Sequence, residues 1–190
     1  MSTAPAKPQR ADARRNREKI LAAAAAVLAE RGLETQVEDI ARRAGVGVGT
    51  VYRHFPTKDA LVAALAESHF ERLADTVEAA LDDDGDPWEV FAAAIRRAAE
   101  PAAADVAWCE IMGRPIVSDG ARRAQQRLGR ATAALIERAQ AQGAMRADAS
   151  VEDVRTIMCG LGHVAAAERA GGPMDWRRYL DLALDGLRAR

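Results

Sequence analysis

Apolar residues recur three and four positions apart along most of the chain, and nowhere do they alternate with polar ones over a useful length. β-branched residues never gather into short runs bounded by turn signals. The pattern therefore predicts an all-α protein of about nine helices.

The first predicted helix covers about Asp12 to Arg31, with Ile20, Leu21, Ala24, Val27 and Leu28 on one stripe and Gly32 as its stop. Residues 1 to 11, with Pro5 and Pro8, read as a disordered arm. Thr35 and Glu38 have capping-box spacing for a second helix that buries Val37, Ile40 and Ala41 and ends at Gly45. After Gly45-Val46-Gly47, a short helix spans Val48 to Phe55 and Pro56 ends it, since a residue before proline leaves helical geometry. Thr57 caps a long helix reaching about Leu81. The acidic break Asp82 to Gly85 follows, and Asp86-Pro87-Trp88-Glu89 opens a helix expected to end near Glu100. Further helices are predicted at about 103–112, 119–142, 151–169 and 175–187, with Ser150 and the Gly171-Gly172-Pro173 turn marking two of the boundaries.

Charge divides this helical chain into two parts. The net charge is -1, yet residues 1–60 carry 11 Lys+Arg against 7 Asp+Glu, and the remainder carries 16 against 21. A basic first part and an acidic second part fit different partners. Cys109 and Cys159 show no metal or redox spacing and read as buried free thiols, with a disulfide the alternative. The N-terminus has no apolar signal region, and no apolar run reaches the ~18 residues a membrane span needs, so a cytoplasmic location is expected.

Two short helices joined by a glycine-bearing turn, after a longer helix, form a helix-turn-helix. Its second helix must be slim enough to enter the major groove, and here it begins Val48-Gly49-Thr50. Small residues let the backbone approach DNA, and Thr50 offers a hydroxyl and a methyl. Tyr52, Arg53, His54 and Lys58 suit phosphates or flanking bases, and Arg53 is the candidate for a bidentate guanine contact. Tyr52 also suits packing alone.

The run TQVEDIARRAGVGVGTVYRHFPTKDALVAAL, Thr35 to Leu65, resembles the DNA-binding domain of the TetR family of bacterial transcriptional repressors. Thr35, Ile40, Ala41, Ala44, Gly45, Val46, Gly49, Thr50, Tyr52, Phe55, Lys58 and Leu61 stand at the places of that family's pattern. The resemblance implies a DNA-binding domain at 12–65, with Thr35 as a cap that also touches phosphate and Lys58 as a phosphate-binding lysine. Gly47 departs from the serine usual at that cap, which costs only a few tenths of a kcal/mol but removes a hydroxyl. The basic residues Arg10, Arg14, Arg15 and Arg17 add backbone or minor-groove contacts or are merely solvated.

For residues 66–190 the resemblance implies an effector-binding and dimerisation domain. Trp88, Phe91, Ile95, Trp108, Ile111, Met112, Met158 and His163 are the candidates for an apolar ligand pocket, with ordinary core as the alternative. The last helix is apolar on more than one face, and glycines in the helix before it permit close approach. Ile157, Gly160, Leu161, Val164, Trp176, Tyr179, Leu180, Leu184 and Leu187 are therefore assigned to a homodimer interface, which requires a pseudo-palindromic duplex operator.

The expected function is a transcriptional regulator, a repressor released by a small, mostly apolar effector, with no cofactor, metal or membrane partner. An enzyme is the remote alternative, because the chain contains no Glu-x-x-His pair, HExxH, GxSxG or phosphate-loop motif. A nonspecific architectural DNA binder is the nearer one, opposed by the low total charge and the acidic second part.

Overall fold

The computed structural model describes residues 7–104, 111, 115–116 and 118–189, with side chains from Asp12 onward. Eight helices are described: α1 (Lys7–Arg31), α2 (Val37–Ala44), α3 (Val48–His54), α4 (Lys58–Glu78), α5 (Pro87–Ala104), α6 (Asp119–Ala141), α7 (Val151–Arg169) and α8 (Trp176–Asp185). Among the described residues the one β-bridge pairs Met145 with Arg188 and ties the α6–α7 loop to the end of the chain. No described helix is long and apolar enough to cross a membrane.

Local chemistry explains most boundaries. Thr57 accepts from Ala60 N at 3.0 Å, Asp86 from Glu89 N at 3.0 Å, and Ser118 from Ala121 N at 3.0 Å. Ser150 and Asp153 form a reciprocal capping box at the start of α7. Gly45 stops α2 at φ 67°, a left-handed conformation that glycine adopts without steric cost.

Three expectations need correction. α1 begins at Lys7, inside the stretch expected to be a disordered arm; Pro8 is tolerated there because the first turn has no intrahelical use for its missing N–H. Thr35 does not cap α2: Gln36 holds the cap position without a side-chain bond, and the Thr35 hydroxyl donates instead to Gly32 O at 3.0 Å. α5 does not stop at Glu100 but continues through Pro101 to Ala104. The rest of the helix predicted at 103–112, with Trp108, Cys109 and Met112, lies outside the described residues.

Two hydrophobic cores form, and their buried side chains divide along α4. The smaller runs from Ile20 to Leu65, and the larger gathers residues from Ala66 to Leu187. At ~1.5 Å per residue, α4 extends roughly 30 Å and serves both cores. It is clamped to α6 by Arg127, which donates to Glu78 Oε1 at 2.7 Å and Asp75 Oδ1 at 2.7 Å. Arg138 of α6 also donates to the carbonyls of Leu81, Asp83 and Gly85, which holds the α4–α5 loop.

The last helix is fastened to its own chain. α8 packs against α7 and α5, and Arg96–Asp181, Arg177–Glu100 and Arg188–Glu89 pair across that contact or beside it. Leu161, Trp176, Leu180, Leu184 and Leu187 are consequently buried within one chain, so these five candidates for a dimer interface are core side chains. Gly160 makes room for Tyr179 of the same chain, whose hydroxyl donates to Ile157 O at 3.2 Å. Gly160→Ala is expected to displace the tyrosine and cost about 1 kcal/mol through that bond. Urea denaturation beside Tyr179→Phe checks this, and the glycine variant should lose less than the tyrosine variant because helix propensity returns up to about 1 kcal/mol.

Candidate DNA-reading helix and effector cavity

Helix α3 separates two faces. Val51 (1% exposed) and Phe55 (4%) anchor it in the smaller core, whereas Gly47, Gly49, Tyr52 and Arg53 face solvent. Val48 and Thr50 are half-buried between them. Gly47 caps the helix with extended backbone, its carbonyl accepting from Thr50 N at 2.8 Å. The guanidinium of Arg17, from α1, lies over the Phe55 ring at 5.4 Å and brings a cation to the edge of this face.

Most neighbouring cations are already paired. Arg43 bonds Glu30 at 3.0 Å, Arg42 bonds Asp39 at 2.8 Å, Arg31 lies 3.7 Å from Asp39, and Arg14 and Arg15 pair with Glu18 and Asp12. Among the described residues Arg53 makes no ion pair, and it stands exposed on α3.

Thr35, Lys58 and His54 sit differently from their sequence-based roles. Thr35 is buried and its hydroxyl is engaged by Gly32. Lys58, half-buried at the start of α4, donates to the Leu33 carbonyl. Both therefore fasten the α1–α2 loop. His54 is half-buried, its ring 6.5 Å from that of Phe55, and its Nε2 is buried without a hydrogen-bond partner.

A Cβ added at Gly47 or Gly49 would meet nothing within 4 Å, so packing within the chain does not require glycine at either place. Gly49→Ala should raise stability by up to about 1 kcal/mol through helix propensity, yet lower affinity for duplex DNA because the methyl stands on the exposed face. Urea denaturation and duplex titration read the two effects separately. Unchanged DNA affinity would contradict a close backbone approach.

A second feature lies deeper. A cavity of about 410 Å³ opens between α4, α5, α6 and α7, walled by Phe70, Leu73, Val77, Ile95, Leu128 and Met158 among others. A further cavity of about 530 Å³ lies toward the start of α4, bordered by Asp59, Val62, Ile111, Ile116 and Ser118. Phe70, Gln125, Arg155 and Cys159 line both, which makes them adjoining compartments. Their sizes suit a small organic molecule.

The pocket candidates distribute unevenly over this space. Ile95, Met158 and His163 line the inner compartment and Ile111 the outer. Trp88 and Phe91 do not line it: their rings meet at a tilt with centroids 5.8 Å apart in the core, and Arg188 covers Trp88 at 4.9 Å. Trp108 and Met112 lie outside the described residues. Cys159, expected to be buried, is exposed toward the cavity mouth. Sequence reasoning missed Phe70, Leu73 and Val77; their helical spacing past Leu65 was the available signal.

Comparison with known proteins agrees with this arrangement. The pattern described as "Bacterial regulatory proteins, tetR family" matches residues 20–65, and "Transcriptional regulator SbtR-like, C-terminal domain" matches 86–189, more than half of the chain. The TetR transcriptional regulator SCO0520 of Streptomyces coelicolor is 37% identical, with 91% of this chain and 98% of that one covered and a TM-score of 0.64. A TetR regulatory protein of Mycobacterium vanbaalenii is 34% identical over 96% and 100% of the two chains, with a TM-score of 0.66. The HTH-type transcriptional regulator YvdT of Bacillus subtilis is 40% identical over 75 residues, and that stretch spans 39% of each protein. The chain thus matches about two fifths of the length of such curated relatives. It belongs to the TetR family of bacterial regulatory proteins, helix-turn-helix transcriptional regulators rather than enzymes.

Proposed function

We propose that the protein is a homodimeric repressor that reads a pseudo-palindromic operator through α3 and releases it when a small, mostly apolar effector fills the cavity between α4, α5, α6 and α7. One observation carries the reading: α4 is continuous from Lys58, beside the DNA-reading unit, to Phe70, Leu73 and Val77 in the cavity wall. A ligand that displaces this wall moves the rod on which α3 is mounted. The effector need only bind the released arrangement better than the DNA-bound one.

In this reading Arg53, Gly49, Thr50 and Tyr52 meet the groove, with Gly47 and Val48 at its edge. Lys58 and Thr35 position the unit by holding the loop before α2. His54, half-buried, supports the helix from behind. The dimer uses the outer faces of α7 and α8, where Ile157 and Val164 are partly exposed and Leu182 is 56% exposed. A second copy placed by two-fold symmetry would cover these side chains.

The experiment loads the purified protein onto genomic duplex fragments at near-physiological salt and screens small apolar compounds. Those that raise the melting temperature are expected also to elute the DNA. Stabilising compounds that leave DNA binding unchanged would refute the coupling. A monomer by sedimentation at micromolar concentration would refute the dimer.

A further inference from the structure

We infer that the effector is an apolar carboxylate, an anion with a hydrocarbon body, whose charged end is held by Arg155 of α7 and Gln125 of α6. This rests on the proposed effector cavity and adds the chemistry of its ligand. Both residues border both compartments, so they stand where the inner and outer spaces join. The surrounding inner wall is largely aliphatic and aromatic, with Phe70, Leu73, Val77, Ile95 and Met158 facing it.

Arg155 is distinctive by its place: among the described residues it is the one arginine that lines either compartment. Among the described residues Arg155 has neither an ion pair nor a hydrogen bond, and Gln125 has no hydrogen-bond partner. A guanidinium stays protonated at any pH the protein meets. A carboxylate ligand would supply this guanidinium with a counter-ion through charge-assisted hydrogen bonds, which a neutral ligand cannot do.

Two acidic groups of the chain could supply that counter-ion instead. Glu152, one turn earlier on α7, lines only the inner compartment and forms no ion pair with Arg155. Asp59 borders only the outer one and already has an interaction of its own. His163 uses Nδ1 to reach the Cys159 carbonyl at 3.0 Å, which leaves Nε2 for a ligand polar group. Arg155 is thus the charge placed at the junction, with an amide donor beside it.

The test compares decanoate, decan-1-ol and decylamine, each below its micellar concentration, by calorimetric titration of the full-length protein. Wild type is expected to bind decanoate at least about tenfold more tightly than the alcohol, the scale of a charge-assisted hydrogen bond. Arg155→Gln should erase that preference while leaving decanol affinity unchanged, and Arg155→Lys should retain part of it. Because Arg155 is exposed and unbonded, the variants should melt with wild type. Equal or tighter binding of decanol or decylamine would overturn the charge assignment and leave the cavity reading standing. Failure of all three to bind wild type would overturn both.

Discussion

Arg53→Ala is expected to weaken operator binding by about 1 to 3 kcal/mol and to relax base preference at one position of each half-site. The side chain is exposed on α3 and makes no ion pair among the described residues, so no intramolecular partner competes with a guanine edge. Folding stability should be unchanged. Lys58→Ala should behave differently, because its ammonium donates to the Leu33 carbonyl rather than standing free. Its loss should cost about 1 kcal/mol of stability, and it should weaken all duplex sequences alike while leaving the salt slope unchanged, since the ammonium holds a carbonyl and not a phosphate. Titrations of both variants on matched and mismatched duplexes at several salt concentrations distinguish reading from positioning. Equal losses on every duplex would show that Arg53 only positions.

The second large effect concerns pH. His69 lies on α4, 5% exposed, and burial, reinforced by the charge of Arg72, pushes its pKa from 6.5 down to about 3. Arg72 Nη2 lies 3.5 Å from its Nδ1. Below its ordinary pKa the unfolded chain binds a proton that the folded chain refuses. Stability therefore falls as pH drops from about 6.5 toward 3, by about 2 kcal/mol at pH 5.

Hydrogen bonds from Arg122 and Arg146 hold Asp119 and Asp148 below the ordinary carboxylate range, so both stay ionised between pH 7.5 and 5. Urea denaturation at fixed protein concentration, between pH 7.5 and 5, should show the loss in wild type and much less of it in His69→Gln. The same slope in both would refute a neutral buried histidine.

The DNA-reading unit was legible because short helices leave little freedom. Gly45, Gly47 and Pro56 fix the ends of α2 and α3, and Val51 and Phe55 then have only one side on which to be buried. Caps at Thr57, Asp86 and Ser150 were legible for the same local reason. Thr35 misled because its hydroxyl has two possible uses: the spacing to Glu38 suggested a cap accepting a backbone N–H, but the hydroxyl donates to the Gly32 carbonyl three residues back.

Less could be read where distance along the chain is large. Leu180, Leu184 and Leu187 made α8 apolar on several sides, and only the packing against α5 and α7 shows that its own chain uses them. The cavity is a gap between helices far apart in sequence, so no local pattern announces it. Ile95, Met158 and His163 were found through apolar clustering, whereas Trp88 and Phe91 obeyed the same pattern and went to the core. Arg155 carried no signal at all, since an unpaired arginine is recognised only once every partner has been placed.

The most direct measurement selects the purified protein against a random duplex library at near-physiological salt and sequences the bound fraction. The account predicts enrichment of an inverted repeat, because a two-fold dimer presents two copies of α3 to the duplex. Binding without enrichment, with affinity that follows salt alone, would contradict it and indicate an architectural DNA binder.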